Sequence, residues 1–395
     1  MWRSLVARSL WEREVPGSNP GTPIVSRSGL NGLRLAASAI LVVLGLACWG
    51  GLEPSARAGV GVGIAQARAL DVTAWLPYWE MSAALSSTVA GAGAITTASP
   101  YWYEVAGDST VHYEAGAGSQ SVIAALQAHH VRLVPMVTEA AGMGEFAQIL
   151  SDPVRRARLV RTLVKLGSHP GFAGLDLDFE NFAYDPKHRL ALEQRVASLY
   201  PKLIGAVCAG LHASSRTCQV AVMAHTSRIH VYDHGDIPSW IYEYGPLAKV
   251  ADRVQLMAYD NHSPGGPAGP IAPLPWVRQV IAFARSQGNA ARFELGLPAY
   301  GYDWYGRRSA SAILANQVPG LLQSVHARLH WDPVMGEQTL TYRQHGHRNV
   351  VWFEDTRADL LRARLAASAG FSGVAVWAAG YEQPGLWPLL RGAGA

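Results

Sequence analysis

From Leu70 onward the chain alternates short apolar runs with longer stretches in which apolar residues recur every three or four positions. Short runs bounded by turn residues predict strands, and the longer pattern predicts amphipathic helices. The predicted strands cover 70–78, 92–103, 131–138, 171–180, 218–226, 253–260, 292–300 and 371–377. Between most of them, 120–129, 153–167, 189–212, 275–287 and 356–369 read as helices dominated by Ala, Leu and Arg. Eight β units with intervening helices predict an α/β chain folded as a (β/α)8, or TIM, barrel over 70–390. The last connection is too long for a helix alone. Residues 303–350, with Trp331-Asp-Pro and Thr339-Leu-Thr-Tyr342, predict a small inserted α+β subdomain between strands 7 and 8.

One strand breaks the apolar habit of the others. In Gly171-Phe-Ala-Gly-Leu-Asp-Leu-Asp-Phe-Glu-Asn181, Asp176, Asp178 and Glu180 alternate with Leu175, Leu177 and Phe179. Successive side chains of a strand face opposite sides, so the three carboxylates share one face, roughly 7 Å apart in sequence order. Like charges repel, and burying them is costly unless protons are shared. An acid/base site or a metal site explains such a row better than stability does; the bland alternative is an edge strand with a solvated acidic face. Barrel chemistry sits at the C-terminal strand ends. Those ends read Trp75-Leu-Pro-Tyr-Trp79, Pro100-Tyr-Trp-Tyr103, the carboxylate row, His225, Met257-Ala-Tyr-Asp260, Pro298-Ala-Tyr-Gly301 and Trp377. Rings around carboxylates suit a sugar, whose apolar faces stack on aromatics while its edges take hydrogen bonds.

Charge adds little once it is located. The formal net charge is +4 over 395 residues, but the first 69 hold seven arginines and three glutamates and already supply that excess. The remainder is near neutral, so no nucleic-acid partner is expected. Within the leader, Arg27 and Arg34 precede the apolar run Leu35–Cys48, and Ala56-Arg-Ala58 and Ala67-Arg-Ala69 offer small-residue cleavage sites. That order predicts a secretory signal peptide, or an uncleaved membrane anchor if the run extends to Leu52. Val15-Pro-Gly-Ser-Asn-Pro-Gly-Thr-Pro23 can be encoded by DNA with the arms and loop of a tRNA T arm, which predicts that translation starts nearer Val25. The expected location is therefore outside the cytoplasm of a bacterium, secreted or in the cell envelope. Cys208 and Cys218, close in sequence and in an oxidising compartment, predict a disulfide between a helix end and the next strand.

The motifs together resemble glycoside hydrolase family 18, the chitinase-like (β/α)8 hydrolases. Ala173-Gly-Leu-Asp-Leu-Asp-Phe-Glu180 is similar to that family's D-G-x-D-x-D-x-E signature, Met257-Ala-Tyr-Asp260 to its sixth-strand motif, and Trp377 to its last-strand tryptophan. Trp75-Leu-Pro-Tyr-Trp79, Gly296-Leu-Pro-Ala-Tyr-Gly-Tyr-Asp-Trp304, Val350-Val-Trp-Phe-Glu-Asp355 and segment 264–276 resemble the branch of spore-cortex-lytic and spore-germination hydrolases. Ala173 stands where the signature has its first aspartate, which bears on tuning of the carboxylate chain rather than on activity.

The resemblance implies retaining hydrolysis of β-1,4 bonds in glycans containing N-acetylglucosamine, with the substrate's 2-acetamido group as nucleophile. Glu180 is then the proton donor, Asp178 the partner of the acetamido N–H, Asp176 the group that shares a proton with Asp178, and Tyr259 the donor to the acetamido carbonyl. Trp377 forms the subsite floor, lined by Met257, Asp260, Tyr78 and Tyr300. No cofactor or metal is expected, and the chain is expected to act as a monomer. The competing readings are a catalytically inactive lectin of the same fold and a carboxylate-bound Mg²⁺ or Ca²⁺ site in an unrelated barrel. Chitin and peptidoglycan both offer the acetamido group, and the sequence does not choose between them.

Overall fold

The structure, a computed structural model, describes residues 69–187, 189–227, 238–344 and 346–394. The leader, with its signal, anchor and start-site expectations, lies outside the described residues apart from Ala69. Fifteen described strands form two sheets. They are β1 Asp71–Leu76, β2 Thr97–Val105, β3 Val111–Tyr113, β4 Arg132–Leu133, β5 Met136–Glu139, β6 Gly174–Asp178, β7 Thr217–Met223 and β8 Arg253–Met257, then β9 Phe293–Pro298, β10 Tyr300–Trp304, β11 Ala310–Leu314, β12 His330–Asp332, β13 Glu337–Gln344, β14 His347–Phe353 and β15 Gly373–Trp377.

The first sheet closes on itself. Going round it, β1, β15, β9, β8, β7, β6, β5 and β2 pair in parallel, and β2 returns to β1 with Thr73 opposite Thr97. Helices separate most successive strands, giving a (β/α)8 barrel. The third strand is split into β4 and β5 around Pro135, which has no N–H to give, while its carbonyl still accepts from Asp176 N at 3.0 Å.

Helix α1 spans Met81–Ala90, α2 Gln120–Ala128, α3 Met143–Ser151, α4 Pro153–Gly167 and α5 Leu190–His212. They are followed by α6 Tyr244–Val250, α7 Leu274–Gln287, α8 Val318–Val325, α9 Thr356–Ser368 and α10 Leu386–Gly392. Their ends follow from local chemistry. Asp152 caps α4 by accepting from Val154 N (2.7 Å) and Arg155 N (3.2 Å), with Pro153 in the first turn, where its missing N–H costs nothing. Asp355 does the same for α9, accepting from Ala358 N at 2.9 Å. Cys208 near the end of α5 and Cys218 on β7 are joined in a disulfide. Outward-facing Leu175, Leu177, Val220, Val222, Leu295 and Leu297 form the core between barrel and helices.

The second sheet is antiparallel, in the order β11-β10-β14-β13-β12, and lies between β9 and β15 in the chain. It carries its own small core, with Ile313, Val318, Leu340, Val351 and Phe353 buried. Tyr300, placed by the sequence pattern in the seventh barrel strand, belongs to this sheet. The barrel strand ends at Pro298, Ala299 N making a last bond to Trp377 O of β15 at 2.7 Å before the chain enters β10. Among the described residues no helix is long and apolar enough to cross a membrane.

Candidate active site

The alternation on β6 puts its two aspartates inside the barrel. Asp176 Oδ2 accepts from Trp75 Nε1 on β1 and from Ser99 Oγ on β2, both at 2.8 Å. Neither strand neighbours β6, so these hydrogen bonds cross the interior. Gly174, the signature's glycine, permits this placement: a β-carbon there would lie 1.8 Å from the Thr217 carbonyl oxygen of β7. Asp176 has no exposure, and burial pushes its carboxyl up to about 6 despite the two donors. Burial also pushes Asp178 well above the usual carboxylate range, reinforced by the charges of Glu180, Asp176 and Glu139. Asp178 and Glu180 share a side-chain hydrogen bond. Asp176 Oδ1 and Asp178 Oδ1 are buried with no hydrogen bond to a described group. Such groups titrate as a set rather than singly.

Glu180 opens a short 3-10 turn, Asn181–Tyr184, that leaves the strand end. Its backbone is held by Tyr242, whose hydroxyl donates to Phe179 O at 2.7 Å, and by Ala183 N, which donates to Glu180 O at 2.9 Å. Tyr184 donates to Glu180 Oε2 at 3.3 Å. Across the mouth Tyr259 follows β8, its ring against Gly296, where a β-carbon would sit 3.0 Å from Tyr259 Cε1. Burial and the charges of Glu180 and Asp178 raise the Tyr259 phenol well above its ordinary value, so it remains a donor. Asp260 takes the left-handed conformation (φ 59°), which aspartate tolerates, and accepts from the hydroxyls of Tyr300 (2.7 Å) and Tyr302 (2.9 Å).

The aromatic residues form a bowl over the aspartates. Trp75, Tyr101 and Met136 are its buried base, and Tyr78, Trp79, Met257, Tyr259 and Trp377 pack on them half-buried. The Trp377 ring centroid lies 6.2 Å from those of Trp75 and Trp79, and Tyr300 lies 6.2 Å from Tyr259. Asp176, Asp178, Glu180, Tyr259, Met257, Asp260, Tyr78, Tyr300 and Trp377 are thus gathered at one end of the barrel. His225 is not part of the bowl. Its ring nitrogens face Ser227 O (2.9 Å) and Tyr242 O (3.0 Å), and it packs on Tyr244 and Phe283.

Ser99, Tyr184 and Glu139 join the site without having been singled out from sequence, whereas Tyr101 was read among the strand-end aromatics and Tyr302 within the Gly296–Trp304 motif. Glu139 ends β5, is almost fully buried, and accepts from Phe182 N at 2.7 Å. Inward alternation along 97–103 was the available signal for Ser99; nothing in sequence ties Glu139 to a turn 43 residues on. Among the described residues no group of three or more His, Cys, Asp or Glu is arranged to hold a metal ion.

Similar proteins share this architecture. The uncharacterized glycosylase YvbX of Bacillus subtilis (strain 168) is 28% identical over 248 residues, 62% of this chain and 68% of YvbX. The cortical fragment-lytic enzyme of the same organism is 26% identical over 251 residues, and the match spans 61% of this chain but 54% of that enzyme. The chitinase of Chromobacterium violaceum ATCC 12472 superposes with a TM-score of 0.72 at 24% identity, covering 83% of this chain and 99% of that structure. Residues 94–382, which hold all of the carboxylate row and Tyr101, Met257, Tyr259 and Trp377 of the bowl but not Trp75, Tyr78 or Trp79, match the glycosyl hydrolases family 18. The chain belongs to the glycosyl hydrolases family 18.

Proposed function

We propose that the protein hydrolyses β-1,4 bonds in glycans containing N-acetylglucosamine, with retention and with the substrate's 2-acetamido group as nucleophile. The observation that carries this reading is the hydrogen-bonded Asp178–Glu180 pair facing Tyr259 beneath an aromatic bowl. Glu180 gives its proton to the glycosidic oxygen as the C1–O bond breaks, and the leaving sugar departs as an alcohol. The acetamido oxygen closes on C1 from the opposite face, forming an oxazolinium ion. Asp178 accepts from the acetamido N–H and balances the positive charge, while Tyr259 donates to the acetamido oxygen and fixes its approach. Water then opens the ring at C1, its proton returns to Glu180, and the net change is addition of one water. Two inversions at C1 leave the β configuration in place.

Crowding explains how a proton is kept available. Three carboxylates with little access to water do not all ionise near neutrality, because each charge raises the cost of the next. Asp176, held by Trp75 and Ser99, contributes the charge from below that turns Asp178 toward Glu180. Trp377 would carry the apolar face of the sugar, with Tyr78 and Met257 beside it.

The substrate is a cell-wall or chitin glycan, since one relative is named for lysing cortical fragments and another for chitinase activity. A disulfide and an N-terminal apolar run support export, to the medium or the envelope, and a neutral barrel surface suits a monomer. The test is digestion of purified peptidoglycan and of chitin oligomers, with mass spectrometry and anomeric NMR of the products. Cleavage giving a β-configured first product, unaffected by EDTA, is expected. Glu180→Gln should lose about 10²–10⁴ in rate while still binding glycan. Normal hydrolysis by that variant would show that the acid is another group, and loss with EDTA would favour a metal reaction.

A further inference from the structure

Glu139 is a buried acid with no part in the reaction steps above, yet it touches the segment that carries the acid. Its Oε1 accepts from Phe182 N at 2.7 Å, and the carboxyl also reaches the N–H groups of Glu180 and of Glu139 itself. Its Oε2 is buried with no hydrogen bond to a described group. Phe182 is the second residue of the 3-10 turn that starts at Glu180. Tyr242 grips the chain on the other side of Glu180, at Phe179 O. The backbone of Glu180 is thus fastened from both directions, and one of the fasteners is ionisable.

We propose that Glu139 is a positioning residue for the reaction, holding the Glu180 turn by its backbone N–H groups and sharing in the charge of the catalytic carboxylates. The proposal rests on the hydrolase reading above. Two properties of the carboxyl are separable. Reach to Phe182 N fixes where Glu180 stands, and misplacement by even an ångström is costly to proton transfer. Charge sets how readily its neighbours ionise, since a nearby like charge holds protons on the set. The groups facing it are Asp178 on β6, Glu180 after it, Tyr200 on α5, and Tyr242. Burial and the Glu180 charge push Glu139 well above the usual carboxylate range.

Two variants of the full chain take these properties apart on a chitin oligomer. Glu139→Gln keeps the reach and loses the charge, and Glu139→Asp keeps the charge and loses a methylene of reach. For Glu139→Gln the expected result is a basic limb of kcat/KM moved about one unit to lower pH, because a like charge is gone, with KM nearly unchanged. For Glu139→Asp it is a fall of about tenfold or more in kcat with the basic limb in place. An unmoved limb in Glu139→Gln, or wild-type kcat in Glu139→Asp, overturns the proposal. Failure of either variant to fold cooperatively makes Glu139 a folding requirement and overturns it too. A wild-type chain that cleaves no N-acetylglucosamine glycan removes the hydrolase reading instead. Charge sharing is then read in unfolding: Glu139→Gln should gain stability relative to wild type as pH rises above the ordinary carboxylate range, and a flat difference refutes it.

Discussion

Asp176 is the residue whose burial has the clearest consequence for stability. Folded, its carboxyl holds a proton up to about pH 6, whereas the unfolded chain releases it near its ordinary value of 3.8. The native state therefore binds more protons between those values, and stability falls as pH rises through that window. Asp176→Asn removes the titration and keeps an oxygen for Trp75 and Ser99. Relative to wild type it should gain about 3 kcal/mol between pH 4 and 7, read by denaturant titration at each pH; a difference independent of pH would mean Asp176 is ionised when folded. Asp178 carries the mechanistic counterpart. A thiazoline mimic of the oxazolinium ion should inhibit strongly, because it captures binding meant for the high-energy species. Asp178→Asn should lose turnover and much of that inhibition together, whereas a covalent adduct trapped on any carboxylate would refute substrate assistance. Alternation alone made Asp176 and Asp178 legible, since a period of two is written in the sequence. Their partners were not, because Ser99 is 77 residues from Asp176 and Trp75 is 101 residues away. Hydrogen bonds across a barrel leave no periodic trace.

The elements were legible where capping and amphipathic period agree. Helix α4 begins at Pro153 because Asp152 caps it, and both residues are visible in the sequence. Helix α1 escaped because it buries only Ala84 and Thr88, too slight an apolar stripe to read, whereas α3 buries Met143, Phe146, Ala147 and Leu150 at helical spacing and was legible but not read. The inserted sheet was visible as excess length, but what fastens it was not. Arg362 on α9 is buried and pairs with Glu354 at 2.8 Å and Glu337 at 3.5 Å, and it donates to the carbonyls of Ala272, Gly336 and Ala358. Glu337 on β13 in turn accepts from Ile271 N (3.0 Å) and Ala272 N (2.7 Å). Insert, α9 and the loop after β8 thus meet at one cation. Burial pushes Glu337 and Glu354 upward, and Arg362 opposes that shift in both. Arg362→Met should therefore cost about 3–5 kcal/mol at neutral pH, since Glu337 and Glu354 stay buried without the guanidinium that faces them. The cost should be smaller at mildly acid than at neutral pH, because those acids then take up protons. Guanidinium unfolding at the two pH values checks it, and an equal loss at both would assign the effect to packing. Replacing both Cys208 and Cys218 by Ala should remove a further ~2–3 kcal/mol, the closure entropy of a short loop.

At the scale of the molecule the barrel is closed by its first and last strands. Asp71–Ala74 on β1 pair with Gly373–Val376 on β15, and Thr73–Leu76 pair with Thr97–Pro100 on β2. Closure also carries function, because Trp75, Tyr78 and Trp79 enter the bowl from the chain's early strand end and Trp377 from its last. Eight-unit periodicity announced the barrel, but closure is a property of contacts some 300 residues apart, which local pattern does not record. The two ends of the chain should therefore respond differently to truncation. A chain starting at Ala69 retains β1, every strand pairing of the barrel and the whole site, so its melting temperature and its turnover on chitin oligomers should match the full chain. A chain ending at Gly370 lacks β15, leaving β1 and β9 as unpaired edges and the apolar faces of both exposed. It also lacks Trp377 and α10, whose Leu386, Trp387 and Leu390 are buried against the first helices and strands. That chain should show no cooperative transition by circular dichroism and should aggregate on refolding. A cooperative melt of the C-terminal truncation would mean that seven strands suffice. Loss of the melt on removing residues 1–68 would mean that the leader supports the barrel, and the domain boundary at Leu70 would have to move.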